Sequence, residues 1–308
     1  MINTIKIFSP ATIANVGCGY DVLGFALDGI GEEMEVSKRD DGQLVIEEII
    51  GFDLPKDPLV NTATVAAQAL LDVAGSQQGF SFKIKKTINP GSGMGTSASS
   101  SAGAVFAVNE LMGRPYTPEQ LVEFAMEGEK AVSKKAHADN VAPNILGGFT
   151  LVRSYEPLDI LSLPVPEDLY VTVVHPQVEI KTTDAKKILK KQVDLSIAVK
   201  QWGNVGGLVS GLYESDYDLI GRSMVDVIVE PIRKILIPLY DEVKTEALST
   251  GALGCSIAGS GPSIFAFSKG EETARKIKEV MQAKYDEVGI LAYTYLSKIG
   301  TQGVREIK

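Results

Sequence analysis

A glycine-rich stretch at residues 89–101, Asn-Pro-Gly-Ser-Gly-Met-Gly-Thr-Ser-Ala-Ser-Ser-Ser, constrains the fold of this chain more than any other segment. Glycine inside a helix or strand loses more conformational entropy than any other residue. The alternating Gly91, Gly93 and Gly95 therefore predict a loop. Because residues 98–111 are mostly small and apolar, the loop is expected to lead directly into a buried helix.

A loop of this kind suits a bound anion. Its successive backbone N–H groups can face a phosphate at the N-terminus of a helix, where the helix dipole favours negative charge. A flexible turn is the alternative, and the hydrophobic helix that follows favours the phosphate site. The P-loop is excluded because the chain contains no Gly-Lys pair. The dinucleotide fingerprint is excluded because its third glycine follows the second by three residues, whereas Gly91, Gly93 and Gly95 are each two residues apart.

The composition narrows the class of protein. The 308 residues are 44% hydrophobic, which suggests two domains with large cores. The net charge is −9 with Lys and Arg scattered, so a nucleic-acid partner is not expected. Cys18 and Cys255 lack the spacing of a metal site or disulfide framework, and His137 and His175 are too few for a histidine-rich zinc site. Without a signal pattern or a membrane-spanning apolar run, we expect a cytoplasmic protein and no membrane partner.

Hydrophobic periodicity predicts an α+β protein built as a split β-α-β sandwich. Strands are predicted over residues 5–8, 35–38, 43–50, 80–88, 145–153, 169–175 and 290–297, with a glycine-rich hairpin over 251–267. Helices are predicted over residues 60–74, 98–111, 117–132, 184–191, 195–214, 217–230, 239–250 and 271–285. Residues 9–24 are predicted as a loop at a pocket wall. The proline-spaced residues 155–166 are predicted as the domain boundary.

Two segments carry candidate polar sites. Glu129 falls at the edge of the buried stripe of the helix that begins near Pro118, and a carboxylate there needs a partner. That partner is a salt-bridging cation or a metal ion, and the glycine loop favours the metal. Residues 136–143 place His137, Asp139 and Asn140 within four positions, which indicates a polar wall of the same pocket.

Five segments in order resemble the GHMP small-molecule kinases, and most closely their homoserine kinase branch. The glycine loop is similar to the family's Pro-x-x-x-Gly-Leu-Gly-Ser-Ser-Ala, with Met94 for Leu and Thr96 for the first Ser. The other four segments are Pro10-Ala11-Thr12 through Asn15 to Asp21, the run from His137 to Pro143, Glu230-Pro231-Ile232-Arg233, and Gly259-Ser260-Gly261-Pro262. Together they span nearly the whole chain.

The resemblance implies a two-domain GHMP kinase fold. Residues 1–154 would form a ribosomal-S5-like, ATP-binding N-terminal domain, and residues 167–308 a ferredoxin-like C-terminal domain. ATP and Mg²⁺ are the implied cofactors. The implied ATP-binding residues are Asn61, Pro90, Gly91, Ser92, Gly93, Met94, Gly95, Thr96 and Ser97; those for the metal are Ser97 and Glu129; and those for the substrate are Asn15, Asp21, His137, Lys186 and Arg233.

The implied activity is ATP-dependent phosphorylation of L-homoserine to O-phospho-L-homoserine in threonine biosynthesis. Asn140 would contact the attacking hydroxyl, and because a carboxamide has no useful basicity, we expect direct transfer without a dedicated base. Asp139 is the rival base. Lys186 stands where the homoserine kinases have Arg, so either Lys186 holds the substrate carboxylate singly or Arg233 carries that charge alone, and we expect a contact from Lys186. The alternatives are a GHMP kinase for another small alcohol and a non-catalytic ligand-binding member. A homodimer is what the family suggests.

Overall fold

The computed structural model describes residues 3–133, 137–178, 180, 185 and 187–308, which form eleven strands and nine α-helices. The strands are β1 (Thr4–Val16), β2 (Gly19–Arg39), β3 (Leu44–Ile50), β4 (Gly79–Lys85), β5 (Phe149–Tyr155), β6 (Leu158–Leu163), β7 (Leu169–Pro176), β8 (Gly254–Ile257), β9 (Ile264–Lys269), β10 (Ala292–Lys298) and β11 (Arg305–Glu306). The helices are α1 (Thr62–Ala74), α2 (Thr96–Leu111), α3 (Pro118–Ser133), α4 (Ala138–Leu146), α5 (Leu195–Glu214), α6 (Tyr217–Ser223), α7 (Glu230–Arg233), α8 (Tyr240–Ser249) and α9 (Glu271–Asp286). The mixture confirms the predicted α+β class.

The first sheet has seven strands in the order β11-β1-β2-β4-β3, with β5 and β6 added beside β2. Its longest component is the antiparallel β1–β2 hairpin, in which Thr4 faces Ser37 and Val16 faces Gly19. The prediction of a loop over residues 9–24 is therefore wrong. Residues 9–14 of β1 are all buried, so this part of the strand lacks the apolar–polar alternation by which a half-exposed strand is recognised in a sequence.

Helices α1 to α4 accompany this sheet, and their starts follow local chemistry. The Asn61 side chain caps α1 by accepting a hydrogen bond from the Ala63 N–H. Thr117 and Gln120 form the predicted capping box before α3. Helix α2 is buried on nearly every side, as its small and apolar residues predicted. It begins at Gly95, which has a positive φ and supplies no capping side chain, so its first N–H groups stay available.

The second sheet is antiparallel, with four strands in the order β10-β7-β9-β8. Helices α8 and α9 pack on it around a separate apolar cluster that includes Val243, Ile264 and Ile277. The two sheets meet through another apolar cluster, in which Phe25 of β2 contacts Phe265 and Phe267 of β9. None of the helices in the described residues is long and apolar enough to span a bilayer.

Two further element boundaries differ from their prediction. The strand predicted from residue 145 begins only at Phe149, because α4 continues to Leu146 and two positive-φ residues, Gly147 and Gly148, then turn the chain. The helix predicted over residues 217–230 stops at Ser223 and resumes as the single turn α7.

The segment predicted as a domain boundary contains β6, which pairs with β5 in the first sheet. The C-terminal strand β11 also returns to the first sheet, beside β1. The division into residues 1–154 and 167–308 stays a prediction. Most of the helix predicted over residues 184–191 lies outside the described residues.

Candidate active site

A cleft of about 350 Å³ opens between the two sheets, and most of the sequence-predicted site residues line it. The glycine loop and the first residues of α2 form one wall. The β1–β2 turn, the start of α4, the turn α7 and the β8–β9 hairpin form the others. The predicted residues on its lining are Asn15, Asp21, Asn61, Pro90, Gly91, Gly93, Gly95, Thr96, Ser97, Glu129, His137, Asn140 and Arg233.

The glycine loop lies in a narrow space between the two halves of the molecule. Gly91, Gly93 and Gly95 all have φ in the left-handed region, at 78°, 84° and 60°. A Cβ on Gly93 would lie 2.4 Å from the Ala258 carbonyl oxygen, and one on Gly259 would lie 2.7 Å from the Gly93 carbonyl oxygen. Both positions therefore require glycine, because no side chain fits between the loop and the β8–β9 hairpin.

The start of α2 rests on a buried ion pair that sequence analysis missed. Lys86 Nζ lies 2.6 Å from Glu32 Oε2 and also donates to the Thr96 carbonyl oxygen at 2.9 Å and to Ser100 Oγ at 2.7 Å. Both charged side chains are more than nine-tenths buried. A buried cation with three partners fixes the first turn of α2 beneath the cleft.

Ser97 and Glu129 form the pair expected at a metal site. Ser97 Oγ donates to Glu129 Oε2 at 3.0 Å. Burial raises the pKa of Glu129 to about 7, and the Ser97 hydrogen bond acts in the opposite direction. A carboxylate that is only 7% exposed gains most from a cation that compensates its lost hydration. One carboxylate and one hydroxyl fit Mg²⁺, which uses few protein ligands and takes the rest from phosphate and water.

One end of the cleft is apolar and the other is polar. Five apolar side chains line the end near the start of α1: Ile49, Leu54, Pro55, Val60 and Ile84. This surface suits a flat, weakly polar ring such as a nucleobase. Asn61 lies at the same end, but its amide already caps α1 and donates to the Pro55 carbonyl oxygen at 2.8 Å. Its predicted contact with adenine stays a prediction.

At the polar end, an acidic cluster forms from two distant segments. His137 Nδ1 lies 3.4 Å from Asp21 Oδ1. Asp21, His137 and Asp139 each offer a ligand atom, and these atoms lie within 4.8 Å of one another. Tyr155 holds the cluster together, because its hydroxyl donates to the Asp21 carbonyl oxygen at 3.0 Å and accepts from the Ala138 N–H at 3.3 Å. The two carboxylates make this end of the cleft suited to a small cationic group.

Arg233 provides the complementary positive charge. Its side chain is 2% exposed, its Nη1 donates to the Gly259 carbonyl oxygen at 3.0 Å, and it lies 5.3 Å from the centre of the Tyr20 ring. Among the described residues, no hydrogen-bond acceptor meets its Nε. A buried guanidinium with an unused donor, on the lining of a cleft, is suited to bind a carboxylate of a ligand.

Asn140 is held in one orientation by a residue whose role sequence analysis missed. Thr12 Oγ1 donates to Asn140 Oδ1 at 3.1 Å. The carboxamide oxygen is thus occupied, and the Nδ2 group remains as the hydrogen-bond donor of that side chain. Gly95 lies against the same pair, since a Cβ there would come within 2.1 Å of Thr12 Oγ1 and 2.8 Å of Asn140 Oδ1. The glycine loop and Asn140 are therefore direct neighbours.

Two of the predicted site residues that the structure describes, Ser92 and Met94, do not line the cleft. Ser92 and Met94 are fully buried, and the Met94 side chain packs in the apolar cluster between the sheets. Their backbone still belongs to the loop, because the Ser92 carbonyl oxygen accepts from the Ser263 N–H and that of Met94 from the Thr12 N–H. Lys186 lies outside the described residues.

Two family models match the chain: GHMP kinases N terminal domain over residues 61–148, and GHMP kinases C terminal over residues 208–287. The chain is 45% identical to homoserine kinase of Chlorobium phaeobacteroides (strain BS1), over 99% of this chain and 100% of that protein. It is 49% identical to homoserine kinase of Chloroherpeton thalassium, over 92% of this chain and 93% of that protein.

Solved structures show the same relation. The crystal structure of homoserine kinase from Cytophaga hutchinsonii has a TM-score of 0.96 and 50% identity, covering 100% of this chain and 98% of that one. A mevalonate kinase from L. major, in complex with R-mevalonate, has a TM-score of 0.72 at 16% identity, covering 96% of each chain. That second likeness concerns the fold alone.

Proposed function

The chain belongs to the GHMP kinase family and, within it, to the homoserine kinases, and from this premise we propose how its cleft performs the reaction. The enzyme has the two-domain GHMP kinase fold, is a phosphotransferase, and uses ATP to phosphorylate L-homoserine in threonine biosynthesis. The observation that carries the proposed site is the meeting, in one cleft, of a helix N-terminus, a buried carboxylate and a paired set of cationic and anionic groups.

We propose that ATP lies along the cleft with its base against the apolar end. The backbone N–H groups of residues 91–97 would hold its β- and γ-phosphates, and the N-terminus of α2, fixed by the Lys86–Glu32 pair, would supply positive potential. Mg²⁺ would be held by Ser97 and Glu129, and when bound it would neutralise charge on the phosphates. The raised pKa of Glu129 supports this role, because a cation there favours the ionised carboxylate.

Homoserine would occupy the polar end. Its α-ammonium group would face the cluster of Asp21 and His137, and its α-carboxylate would face Arg233 and, if it reaches the cleft, Lys186. Asn15 links the residues that would meet the ammonium and carboxylate groups. Its side chain accepts from the Asp21 N–H at 2.8 Å and donates at 2.9 Å to the Gly259 carbonyl oxygen, which also accepts from Arg233. This arrangement would direct the side-chain hydroxyl toward Asn140 and the glycine loop.

The transfer would proceed without a dedicated base. The homoserine oxygen forms a bond to the γ-phosphorus while the bond from that phosphorus to the bridging oxygen breaks, and ADP leaves. The hydroxyl proton passes to a phosphoryl oxygen or to water. Asn140, whose oxygen is already bonded to Thr12, would donate a hydrogen bond and position the hydroxyl. A loose transition state makes positioning and charge neutralisation the main sources of acceleration.

Asp139 is the side chain that could overturn the base-free mechanism, because it is buried on the lining of the cleft beside Asn140. We expect Asp139→Asn to keep kcat within about tenfold of the wild type, since a general base typically contributes ~10²–10⁴. A correctly folded variant that loses about 10³ or more would make Asp139 the base. Far-ultraviolet circular dichroism and the melting temperature establish that the variant is folded.

Acceptor specificity tests the whole assignment. ADP release is measured with L-homoserine, mevalonate, galactose and L-threonine, each with and without Mg²⁺. We expect L-homoserine to give the highest kcat/KM and all activity to require the divalent cation. A preference for mevalonate or galactose would indicate a kinase for another alcohol, and ADP release that does not depend on any acceptor would contradict the function. Location in the cytoplasm and assembly as a homodimer stay predictions.

A further inference from the structure

Asp226 is a buried carboxylate that lies outside the cleft. It is 7% exposed. Its Oδ1 accepts from the backbone N–H groups of Ile228 at 2.9 Å and Val229 at 3.0 Å, and its Oδ2 accepts from that of Glu230 at 2.8 Å. These N–H groups lead into the turn α7, whose own N-cap residue supplies no side-chain hydrogen bond. Asp226 therefore holds the backbone that carries Arg233.

Gln201 of α5 connects this carboxylate to the other half of the molecule. Its Nε2 donates both to Asp226 Oδ1 at 2.9 Å and to the Cys18 carbonyl oxygen at 2.8 Å. Its Oε1 accepts from the Val227 N–H at 2.9 Å. The side chain is 9% exposed, and both of its amide hydrogens are used. Cys18 belongs to the β1–β2 turn of the first sheet, so this one amide joins the two halves.

The β1–β2 turn carries the residues proposed to meet the ammonium group. Asn15 and Asp21 flank it, and each has a φ of 58°, a conformation that needs support from its surroundings. Asn15 and Arg233 donate to the same carbonyl oxygen, that of Gly259. The hydrogen bonds thus form a closed circuit from Arg233 through Gly259 and Asn15 to the turn, and back through Gln201 and Asp226.

We propose that Gln201 and Asp226 are positioning residues that set the spacing between Arg233 and Asp21, and through it the affinity for the amino-acid end of homoserine. The inference rests on the proposed function, in which these two residues meet the α-carboxylate and the α-ammonium group. Both groups sit on one carbon atom, so their separation is fixed by the substrate. A site whose two halves come from different sheets matches that separation only if something ties the halves together.

A purely structural role of Gln201 and Asp226 would have different consequences for stability and for substrate binding. If Gln201 and Asp226 only stabilise the fold, their removal lowers the melting temperature and leaves the Michaelis constants of the folded enzyme unchanged. If they position Arg233, the KM for homoserine rises while the KM for ATP stays close to its original value. In the part of the chain that the structure describes, none of the circuit's hydrogen bonds involves the apolar end of the cleft, where the base of ATP is proposed to lie.

The test uses Gln201→Met, which keeps the length of the side chain and removes its hydrogen bonds, and Asp226→Asn, which keeps its shape. We expect each to raise the KM for homoserine about tenfold and to change the KM for ATP less than about twofold. The matched control is Asp216→Ala, because Asp216 caps α6 by accepting from the Leu219 N–H at 2.9 Å, in the same half of the molecule but outside the circuit, and alanine removes that cap. It should lower stability alone. Equal homoserine KM values in all three variants and the wild type would overturn the inference.

Arg233→Lys separates failure of this inference from failure of the proposed function. If that variant leaves the homoserine KM unchanged, the role assigned to Arg233 is wrong. If it raises the homoserine KM and Asp226→Asn does not, the role of Arg233 holds and the positioning inference fails. Because Asp226 is proposed to act through Arg233, the double variant should raise the homoserine KM no further than Arg233→Lys does. Fully multiplicative effects in the double variant would contradict that coupling.

Discussion

At the scale of single residues, the cleft is organised by side chains that already have fixed partners on the protein. Asn140 is bonded to Thr12, Asn15 to the Asp21 backbone, and Arg233 to the Gly259 carbonyl oxygen. Such bonds reduce the conformational freedom that a substrate would otherwise have to remove on binding. Replacing a partner should therefore impair the reaction even where the partner never contacts the substrate.

Thr12 offers the clearest case. Thr12→Val keeps the shape of the side chain and removes the hydroxyl that holds the Asn140 oxygen, so the amide can rotate. We expect kcat to fall about tenfold, the order of one lost hydrogen bond, with a smaller change in either KM. Thr12→Ser restores the hydroxyl and should recover most of the rate. Steady-state kinetics of the two variants make the comparison, and a valine variant within twofold of the wild type would show that Asn140 needs no such support.

The buried His175 should make the stability of the folded protein depend on pH. Burial lowers the pKa of His175 from its usual 6.5 to about 4, and its Nδ1 lies 3.0 Å from Gln177 Nε2. Below pH 6.5 the unfolded chain gains a proton that the folded protein does not, so stability is full above pH 6.5 and declines as the pH falls toward 4. We expect the loss at pH 5 to be about 2 kcal/mol.

We expect His175→Asn to remove this decline. Urea unfolding of the wild type and the variant at pH 7.5 and pH 5 measures it, as the difference between the two proteins in their change of unfolding free energy with pH. Equal changes in both proteins would mean that other groups cause the acid sensitivity.

At the scale of elements, the start of α2 is the part of the fold on which phosphate binding depends. The glycine loop brings the chain to it, Gly95 leaves its first N–H groups without a capping side chain, and the Lys86–Glu32 pair fixes its first turn from below. An ion pair buried this deeply is costly to break, because the remaining charge loses its compensation. Removal of the Glu32 carboxylate should therefore destabilise the start of α2 more than removal of a carboxylate from a surface ion pair would.

The neighbouring residue Glu33 supplies a matched control for this pair. Glu33 lies 3.2 Å from Lys85, and both side chains are about half exposed. We expect Glu32→Gln to lower the free energy of unfolding by about 3 kcal/mol, as for other broken buried pairs. Glu33→Gln should change it by less than about 1 kcal/mol. Urea denaturation of the two variants gives both values, and similar losses would show that burial adds nothing to the Lys86–Glu32 interaction.

Elements were predictable from the sequence where local chemistry decides them. The capping residues Asn61 and Thr117 mark the starts of α1 and α3, and α5 has the predicted bounds. The predicted helix over residues 217–230 failed for a reason that only the fold reveals. The Asp226 side chain takes the backbone N–H groups of residues 228–230, which a continuous helix would have used.

At the scale of the whole molecule, the active site exists only where the two sheets meet. The glycine loop and the β8–β9 hairpin touch at Gly93 and Gly259, and the β1–β2 turn reaches α5 and α7 through Gln201. Family motifs identified the segments that supply this site. They did not reveal Thr12, Lys86, Tyr155 or Gln201 as supporting residues, because each partner lies far away in the sequence or on the backbone, and only the tertiary structure brings them together.

The cleft is proposed to transfer the γ-phosphoryl group of ATP directly to the hydroxyl of homoserine. The most direct measurement is ³¹P nuclear magnetic resonance of the enzyme with ATP, Mg²⁺ and L-homoserine, followed over time. We expect the γ-phosphate signal to disappear as ADP and one phosphomonoester, O-phospho-L-homoserine, appear in equal amounts. Inorganic phosphate formed in place of the phosphomonoester, or ATP that stays unchanged when homoserine is present, would contradict the claim.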